Sequence, residues 1–275
     1  HLVVDGKDIQ VFARKDPASL PWKDLNIDMV IESTGFFTSS EKAKAHLDAG
    51  AKRVVITAPA TGSAAGGVTT ALVGVNDDRF ADALPITCNA SCTTNSVAPV
   101  IAFIQDAFGI ARGSMTTVHA YTATQKLVDG PDKDLRRGRA AAVNIIPSTT
   151  GAAEAVIQAI PELAGKFNAV AIRVPTVTGS LSVSTLEVAR KTTVKEVNEV
   201  FRKAAADPRW NKSVAVTEDQ IVSSDIVGEP YGAIIDLTLT KVIDGNLIEV
   251  FSWYDNEAGY TATLVEHVRR ISALI

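Results

Sequence analysis

The sequence predicts an α/β protein in two parts: a largely parallel sheet layer, then an α+β segment. Three observations carry this. In the first third of the chain, short β-branched apolar runs alternate with a helical pattern, the order that builds a parallel sheet. Beyond it come long alternating runs with hairpin signals, interrupted by one amphipathic helix. The length of 275 residues also exceeds one ordinary domain of ~100–200 residues.

The elements follow in order. Val3–Val4 and Ile9–Val11 flank Asp5-Gly6-Lys7-Asp8, which reads as a β-hairpin. "DMVIESTGFF" holds a buried strand at Met29–Ile31 that ends in a polar turn. Thr38 and Glu41 have capping-box spacing for the helix "EKAKAHLDAG", which Gly50 stops. "AKRVVITAP", "ALVGVN" and "LPITCN" read as three further strands. Ligands in such sheets sit beyond the carboxyl ends of the strands, where Ser33-Thr34-Gly35 and Thr57-Ala58-Pro59 lie. After Asn95 a helix runs from Val97 to Phe108 and stops at Gly109, with Pro99 marking a kink or a shifted start. "GSMTTVHAYTAT", "NAVAIRVPT" and "SLSVSTLEVA" are strands, and "DLTLTKVIDGNLIEVFSWYD" is a long hairpin turning at Asp244-Gly245-Asn246. "VKEVNEVFRKAAA" puts Val194, Val197, Val200 and Phe201 on one helical face. The tail is a helix with Leu264, Val265, Val268 and Ile271 as its stripe. Ala123–Arg139 is a long polar loop with five basic residues, a length that in compact domains marks function or mobility.

Composition excludes several classes. No apolar run approaches the ~18 residues of a membrane span, and the N-terminus has no signal-peptide pattern. With 27 basic and 31 acidic residues the net charge is −4, so bulk charge gives no case for nucleic-acid binding. Two cysteines make no disulfide framework and fit a reducing, cytoplasmic compartment.

Those cysteines sit four apart in "ITCNASCTTNSVAP". Cys88 lies inside an apolar strand and reads as structural, beside a redox coupling to Cys92. Cys92 follows a strand and precedes a helix, where free N–H groups and the helix dipole favour a thiolate and can hold an oxyanion. From position alone, that reading and a small core residue beside a Ser/Thr capping cluster stand level. A nucleophilic thiol needs a base. His1 is terminal, His46 reads as solvated in a Lys/Glu-rich helix, and His267 lies near the end of the last helix. Elimination leaves His119 in "TTVHAYT", against the plainer reading of a satisfied core histidine. "STTGAA" is a hydroxyl-rich turn opening a helix, suited to phosphate or simply to capping. Arg173, flanked by apolar residues, needs an anionic partner or ligand. "LRRGR" reads as a surface basic cluster. Together these point to thiol chemistry on a phosphorylated small molecule, and spacing alone goes no further.

"ESTGFFT", "AHLDAGAKRVVITAPA", "ASCTTN", "TTVHAYTATQ", "NIIPSTTGAAEAV", "IRVPT", "SSDIVG" and "SWYDNEAGY" occur in that order. In combination they resemble the signatures of the phosphorylating glyceraldehyde-3-phosphate dehydrogenase family, from about Val3 to the C-terminal helix. The resemblance implies an incomplete Rossmann-type doubly wound NAD-binding domain plus an α+β catalytic domain with a mostly antiparallel sheet. The boundaries expected are 1–91, 92–255, and a C-terminal helix, 256–275, returning to the first domain. Cys92 would be the nucleophile that attacks the aldehyde of glyceraldehyde 3-phosphate. Hydride transfer to NAD would give a thioester, and phosphate would release 1,3-bisphosphoglycerate. His119 would be the base and oxyanion partner. Thr122 and Arg173 would hold the substrate's phosphate. Ser91, Thr150 and Gly151 would hold inorganic phosphate, with Thr93 close by and Arg137 a further contributor. Asn256 would hold the nicotinamide carboxamide, and Ser33, Thr34, Gly35, Thr57 and Tyr260 would face the cofactor. No metal is implied. Tyr121–Arg139 resembles a loop that packs on a neighbouring subunit's cofactor, which implies a homotetramer.

The chain departs from the family pattern at its start. A first Rossmann strand, a Gly-x-Gly-x-x-Gly turn and a following acidic residue are expected but not found, so NAD binding is expected to be weak or absent and NADP stays open. Ala258 stands where the family usually has a large aromatic, "EPYGA" follows "SSDIVG", and "LSVSTLEV" lacks a Val-Asp pair. Two alternatives remain: an erythrose-4-phosphate dehydrogenase, which hydrolyses its thioester, and a truncated, non-catalytic scaffold of the same fold.

Overall fold

The computed structural model describes residues 1–61 and 67–275. β1 (Leu2–Val4) and β2 (Lys7–Ile9) form the expected hairpin. Asp5 and Gly6 turn it with φ of 50° and 74°, the left-handed pair that a two-residue turn between twisted strands needs.

A four-stranded sheet follows, all parallel. It contains β3 (Met29–Glu32), β4 (Arg53–Ile56), β5 (Thr69–Thr70) and β6 (Ile86–Cys88), in the order β3-β4-β6-β5. α1 (Ser40–Asp48) is the crossover from β3 to β4. Its cap is Ser39, whose side chain accepts from the Lys42 N–H, and not the expected Thr38. Thr38 is drawn across to Thr61, whose N–H donates to its carbonyl at 3.0 Å. "ALVGVN" is not a strand either. The Asn76 side chain accepts from the Leu72 N–H at 2.7 Å, and Gly74 has φ of 84°, so the segment coils into a buried turn. α2 (Asp78–Ala81) closes it.

α3 (Cys92–Phe108) leaves β6 after three residues and starts at Cys92, earlier than the apolar run implied. Ser91 caps it by accepting from the Thr94 N–H at 3.1 Å, so polar capping extends the helix beyond its hydrophobic part. Pro99 therefore falls mid-helix.

The remaining strands form an eight-stranded sheet. They are β7 (Ile110–Ala120), β8 (Ile146–Ser148), β9 (Phe167–Val174), β10 (Ser180–Val188), β11 (Val214–Thr217), β12 (Ala233–Asp236), β13 (Lys241–Ile243) and β14 (Leu247–Tyr254). The order is β11-β12-β14-β10-β7-β9-β8, with β13 on β14. Apart from the parallel pairs β11–β12 and β7–β9, every pairing is antiparallel. The expected hairpin at Asp244–Asn246 joins β13 to β14. α4 (Ala152–Ala159) and α5 (Val194–Ala206) complete this part. Val97, Val100, Ile101 and Ile104 of α3 pack with Met115, Leu186, Ile248 and Val250 of the sheet and Val197 and Phe201 of α5.

α6 (Ala258–Ser272) buries a different face from the one its apolar residues mark. Gly259, Thr263, His267 and Ile271 are buried, whereas Val265 is exposed. The reason is polar complementarity with β6 and the residue after it. The Thr87 hydroxyl lies 2.8 Å from His267 Nε2, Asn89 Nδ2 donates to the Thr263 hydroxyl at 3.2 Å, and His267 Nδ1 donates to the Ala71 carbonyl at 3.1 Å. Gly259 brings the start of α6 against a different segment, the one before β12, since a Cβ there would sit 2.3 Å from the Tyr231 carbonyl oxygen. His46 is likewise buried, not solvated.

Burial lowers the pKa of both His119 and His267 to about 4. The unfolded chain, with ordinary histidines near 6.5, therefore binds more protons between those values. The contribution of these two groups is full above pH 6.5, falls as the pH drops from there to about 4, by about 3 kcal/mol for each histidine, and levels off below. Urea titrations across that range check this. His267→Gln should flatten the slope while lowering stability at pH 7. A Gly259→Ala variant should lose roughly 1–3 kcal/mol, read from the same titrations, because the clash is with backbone.

Candidate active site

The site is built on the corner between β6 and α3. Ala90 there has φ of 51°, a left-handed conformation that costs a non-glycine residue about 1–2 kcal/mol. Two side chains hold it. Asn95 Nδ2 donates to the Asn89 carbonyl at 2.8 Å and to the Ser91 carbonyl at 3.0 Å, and the Tyr260 hydroxyl donates to the Ala90 carbonyl at 3.1 Å. Cys92 is thereby fixed as the first residue of α3. Cys88 is a buried free thiol 3.3 Å from the Thr70 hydroxyl.

Cys92 Sγ lies 3.4 Å from Nε2 of His119, near the end of β7. His119 and Arg173 are register partners on the parallel strands β7 and β9, so the guanidinium reaches the imidazole from the next strand. Arg173 Nη1 lies 2.6 Å from His119 Nδ1 and donates to the Ala120 carbonyl at 3.1 Å. His119 Nδ1 is also 2.7 Å from that carbonyl. These contacts select opposite tautomers. Donation from Nδ1–H to Ala120 leaves the Nε2 lone pair facing sulfur, the form a base needs; donation from Arg173 to Nδ1 puts the proton on Nε2.

Burial governs the charges. It pushes the Cys92 thiol up from 9.0, against a pull downward from Arg173 and from the backbone and hydroxyl of Thr93. Burial and the nearby Arg173 charge together push His119 down to about 4. Both shifts favour the uncharged thiol and imidazole, although Cys92 itself is only half-buried in the corner. Desolvation opposes the thiolate that the helix terminus and Arg173 favour. Arg173 has no carboxylate partner among the described residues, and its buried Nε has no acceptor. The anionic partner expected for it is not supplied by the described protein.

The other expected phosphate residues are tied into their own loops. The Thr122 N–H donates to Gln125 Oε1 at 3.0 Å, and its hydroxyl also reaches Thr124. Arg137 donates to the hydroxyls of Ser148 and Thr149, each at 3.2 Å. The Thr150 hydroxyl accepts from the Ala152 N–H, and Gly151 caps α4. Ser91 and Thr93 flank Cys92 in the corner itself.

On the first sheet, Ser33, Thr34 and Gly35 follow β3, and Gly35 has φ of 76°. The Thr57 N–H and hydroxyl, after β4, donate to the Glu32 carbonyl at 3.0 and 3.2 Å. Asn256 precedes α6. Its Oδ1 accepts from the Gly179 N–H at 3.1 Å and the Ser180 hydroxyl at 3.2 Å, so its Nδ2 is left as a donor.

Sequence reasoning missed several residues. Tyr254 is fully buried, its hydroxyl 3.0 Å from that of Thr93 and 2.7 Å from that of Thr117, with its ring edge-on to His119 at 5.8 Å. Burial pushes its phenol up, so it stays neutral. The strict alternation of "LIEVFSWY" was the available signal, since it points Tyr254 inward. Asp255 accepts from the N–H groups of Gly228, Glu257 and Ala258 and from the Thr178 hydroxyl. Burial works against its charge, but these bonds outweigh it and hold the carboxyl below its usual range.

Residues 91–256 match the family model described as glyceraldehyde 3-phosphate dehydrogenase, C-terminal domain, and residues 1–40 match the NAD binding domain model of the same family. Similar proteins include the glyceraldehyde-3-phosphate dehydrogenase of Thermotoga maritima, 55% identical over 96% of this chain and 78% of that protein. That of Mycobacterium avium is 52% identical over 93% of this chain and 74% of that protein. Glyceraldehyde-3-phosphate dehydrogenase 2 of Streptomyces avermitilis is 48% identical over 96% and 78% respectively. Parallel layer, mixed sheet and these matches define an oxidoreductase with a Rossmann-type fold and NAD as its cofactor. The chain belongs to the glyceraldehyde-3-phosphate dehydrogenase family. Among the described residues, no group of three His, Cys, Asp or Glu could hold a metal ion, and no helix is long and apolar enough to cross a membrane.

Because burial raises the Cys92 thiol, its alkylation by iodoacetamide should climb with pH beyond that of a free cysteine. Arg173→Gln removes the cation that lowers both groups, so the Cys92 profile should move further alkaline and His119 should titrate at higher pH by NMR.

Proposed function

We propose that this protein oxidises and phosphorylates glyceraldehyde 3-phosphate, with Cys92 as nucleophile and His119 as base. The contiguous line Cys92–His119–Arg173 carries this reading: a thiol, a base, and a cation with no carboxylate partner among the described residues, in direct contact. The proton of Cys92 Sγ passes to His119 Nε2, and sulfur adds to the aldehyde carbon. The carbonyl π pair moves to oxygen, held by the N–H groups at the start of α3, and His119 Nε2 gives its proton to that oxygen, which leaves a hydroxyl hemithioacetal and a neutral imidazole. His119 then takes the hydroxyl proton of the hemithioacetal as hydride departs, leaving a thioester on Cys92. Inorganic phosphate attacks the thioester carbon, the C–S bond breaks, and Cys92 is regenerated as 1,3-bisphosphoglycerate leaves.

Arg173 and Thr122 hold the substrate's phosphate. Ser91, Thr93, Thr150, Gly151 and Arg137 hold the attacking phosphate. The residues present fit NAD: the unpaired Asn256 Nδ2 matches a carboxamide oxygen, and Gly35 takes the left-handed turn with open space where a Cβ would stand. Ser33, Thr34, Thr57 and Tyr260 are assigned to the cofactor with them. NAD, when bound, supplies the hydride acceptor. The proposed units are a nucleotide domain, 1–91, a catalytic domain, 92–255, and a terminal segment, 256–275. The exposed Leu127, Val128 and Leu135 on the 123–139 loop favour burial against further subunits, in a homotetramer. A cytoplasmic, glycolytic setting fits this substrate.

In the product of the complete gene, Cys92→Ser should abolish NADH formation, and His119→Asn should reduce it roughly 10²–10⁴-fold. NADH formation with glyceraldehyde 3-phosphate should require inorganic phosphate for sustained turnover. Phosphate-independent turnover that is faster on erythrose 4-phosphate would replace this reading with the hydrolytic one.

A further inference from the structure

Beneath the turn that follows β3 lies a buried polar chain that the reaction does not use. His46 on α1 and Glu32 at the end of β3 are both almost fully buried, and His46 Nε2 lies 2.9 Å from Glu32 Oε2. The Trp22 indole N–H lies 3.1 Å from His46 Nδ1. An indole nitrogen can only donate, so Nδ1 accepts and the imidazole proton sits on Nε2, aimed at the carboxylate. Trp22 stacks beside the imidazole and Phe37 meets it edge-on, with ring centroids 6.3 and 6.2 Å away. The ring is boxed in one orientation.

Glu32 faces the other way as well. Its Oε1 accepts from the Thr34 N–H at 2.8 Å and from the Thr34 hydroxyl. That hydroxyl in turn accepts from the Phe36 N–H at 3.1 Å. The Glu32 main-chain carbonyl accepts both donors of Thr57. One residue therefore anchors the turns after β3 and after β4. No lysine or arginine pairs with Glu32 among the described residues. A buried carboxylate without a cation is a costly way to fasten a turn whose only task is structural.

We propose that Glu32 and His46 are positioning residues for the cofactor: His46, locked by Trp22, orients the Glu32 carboxylate, which sets the Ser33–Gly35 turn and Thr57 in the geometry that receives NAD. This rests on the reading of those turns as cofactor-side. His46→Leu breaks the chain at its middle. His46→Gln keeps a donor toward Glu32 and an acceptor toward Trp22. Gly35→Val strains the turn directly, at a left-handed position.

The experiment is NAD titration by calorimetry, with steady-state kinetics and amide hydrogen exchange, on the product of the complete gene. His46→Leu should weaken NAD binding roughly tenfold, as expected when a hydrogen bond to a buried charged group is lost. It should raise KM for NAD, leave kcat and the aldehyde KM within about twofold, and speed exchange at Thr34 and Phe36 while the eight-stranded sheet stays protected. His46→Gln should restore most of the affinity. Where His46→Leu fails to fold, Trp22→Phe, which removes the N–H and keeps a ring, should move the same quantities in the same direction. Gly35→Val weakening NAD while His46→Leu and Trp22→Phe bind it as the parent does would overturn the proposal. If Gly35→Val leaves NAD binding unchanged, the cofactor reading of the turn itself fails, and the proposal fails with it.

Discussion

The Asn95 carboxamide is the constraint on which the chemistry depends. It lies one turn into α3, yet its Nδ2 holds the carbonyls of Asn89 and Ser91, the residues on either side of the left-handed Ala90. The chain passes from strand to helix here through a left-handed residue, and a non-glycine residue resists that conformation. Two hydrogen bonds to buried carbonyls, each worth about 1 kcal/mol net and more if left unmade, offset that resistance. The Tyr260 hydroxyl adds a third hold from α6. Sulfur position, helix start and the distance to His119 all follow from this corner.

Around it the protein is polar where a core is ordinarily apolar. Ser96 lies within hydrogen-bond reach of Ser182 and Ser252, and Tyr254 joins Thr93 to Thr117. These hydroxyls are small, mutually satisfied and uncharged, so α3 can lie close against the sheet without the penalty of unpaired polar groups. The same dryness has an electrostatic consequence. It disfavours ions at Cys92 and His119 alike, leaving Arg173 as the charge nearest the pair. An anion that draws Arg173 toward itself changes the field on both groups at once.

α6 is seated on the first sheet through polar contacts as well as apolar ones. α6 meets β6 and the segments beside it through Thr263 and His267, packs Gly259 on the backbone before β12, and adds an ionic contact, Arg270–Asp77, at its far end. Asp255 gathers three N–H groups and a hydroxyl just before that helix begins. A helix seated by hydrogen bonds has a narrower choice of register than one seated by leucines. That narrowness is suited to a segment carrying Asn256 and Tyr260.

The sequence by itself determined the parallel-then-antiparallel order, the hairpins at Asp5-Gly6 and Asp244–Asn246, the amphipathic α5 and the strand–corner–helix setting of Cys92. These follow from local periodicity and turn chemistry, which neighbouring residues settle among themselves. Motif combination also marked His119, Arg173 and Asn256 as residues of interest. Only the tertiary structure decided which side chains meet. His46 looks like a solvated helix residue because its own neighbours are charged; Trp22, Phe37 and Glu32, from other segments, bury it. The apolar stripe of α6 misled because its binding face is chosen by Thr87 and Asn89 on another strand. "ALVGVN" has strand composition, but the Asn76 side chain captures its backbone. Protonation at Cys92 and His119 depends on desolvation by the whole fold, a quantity that no local pattern of residues encodes.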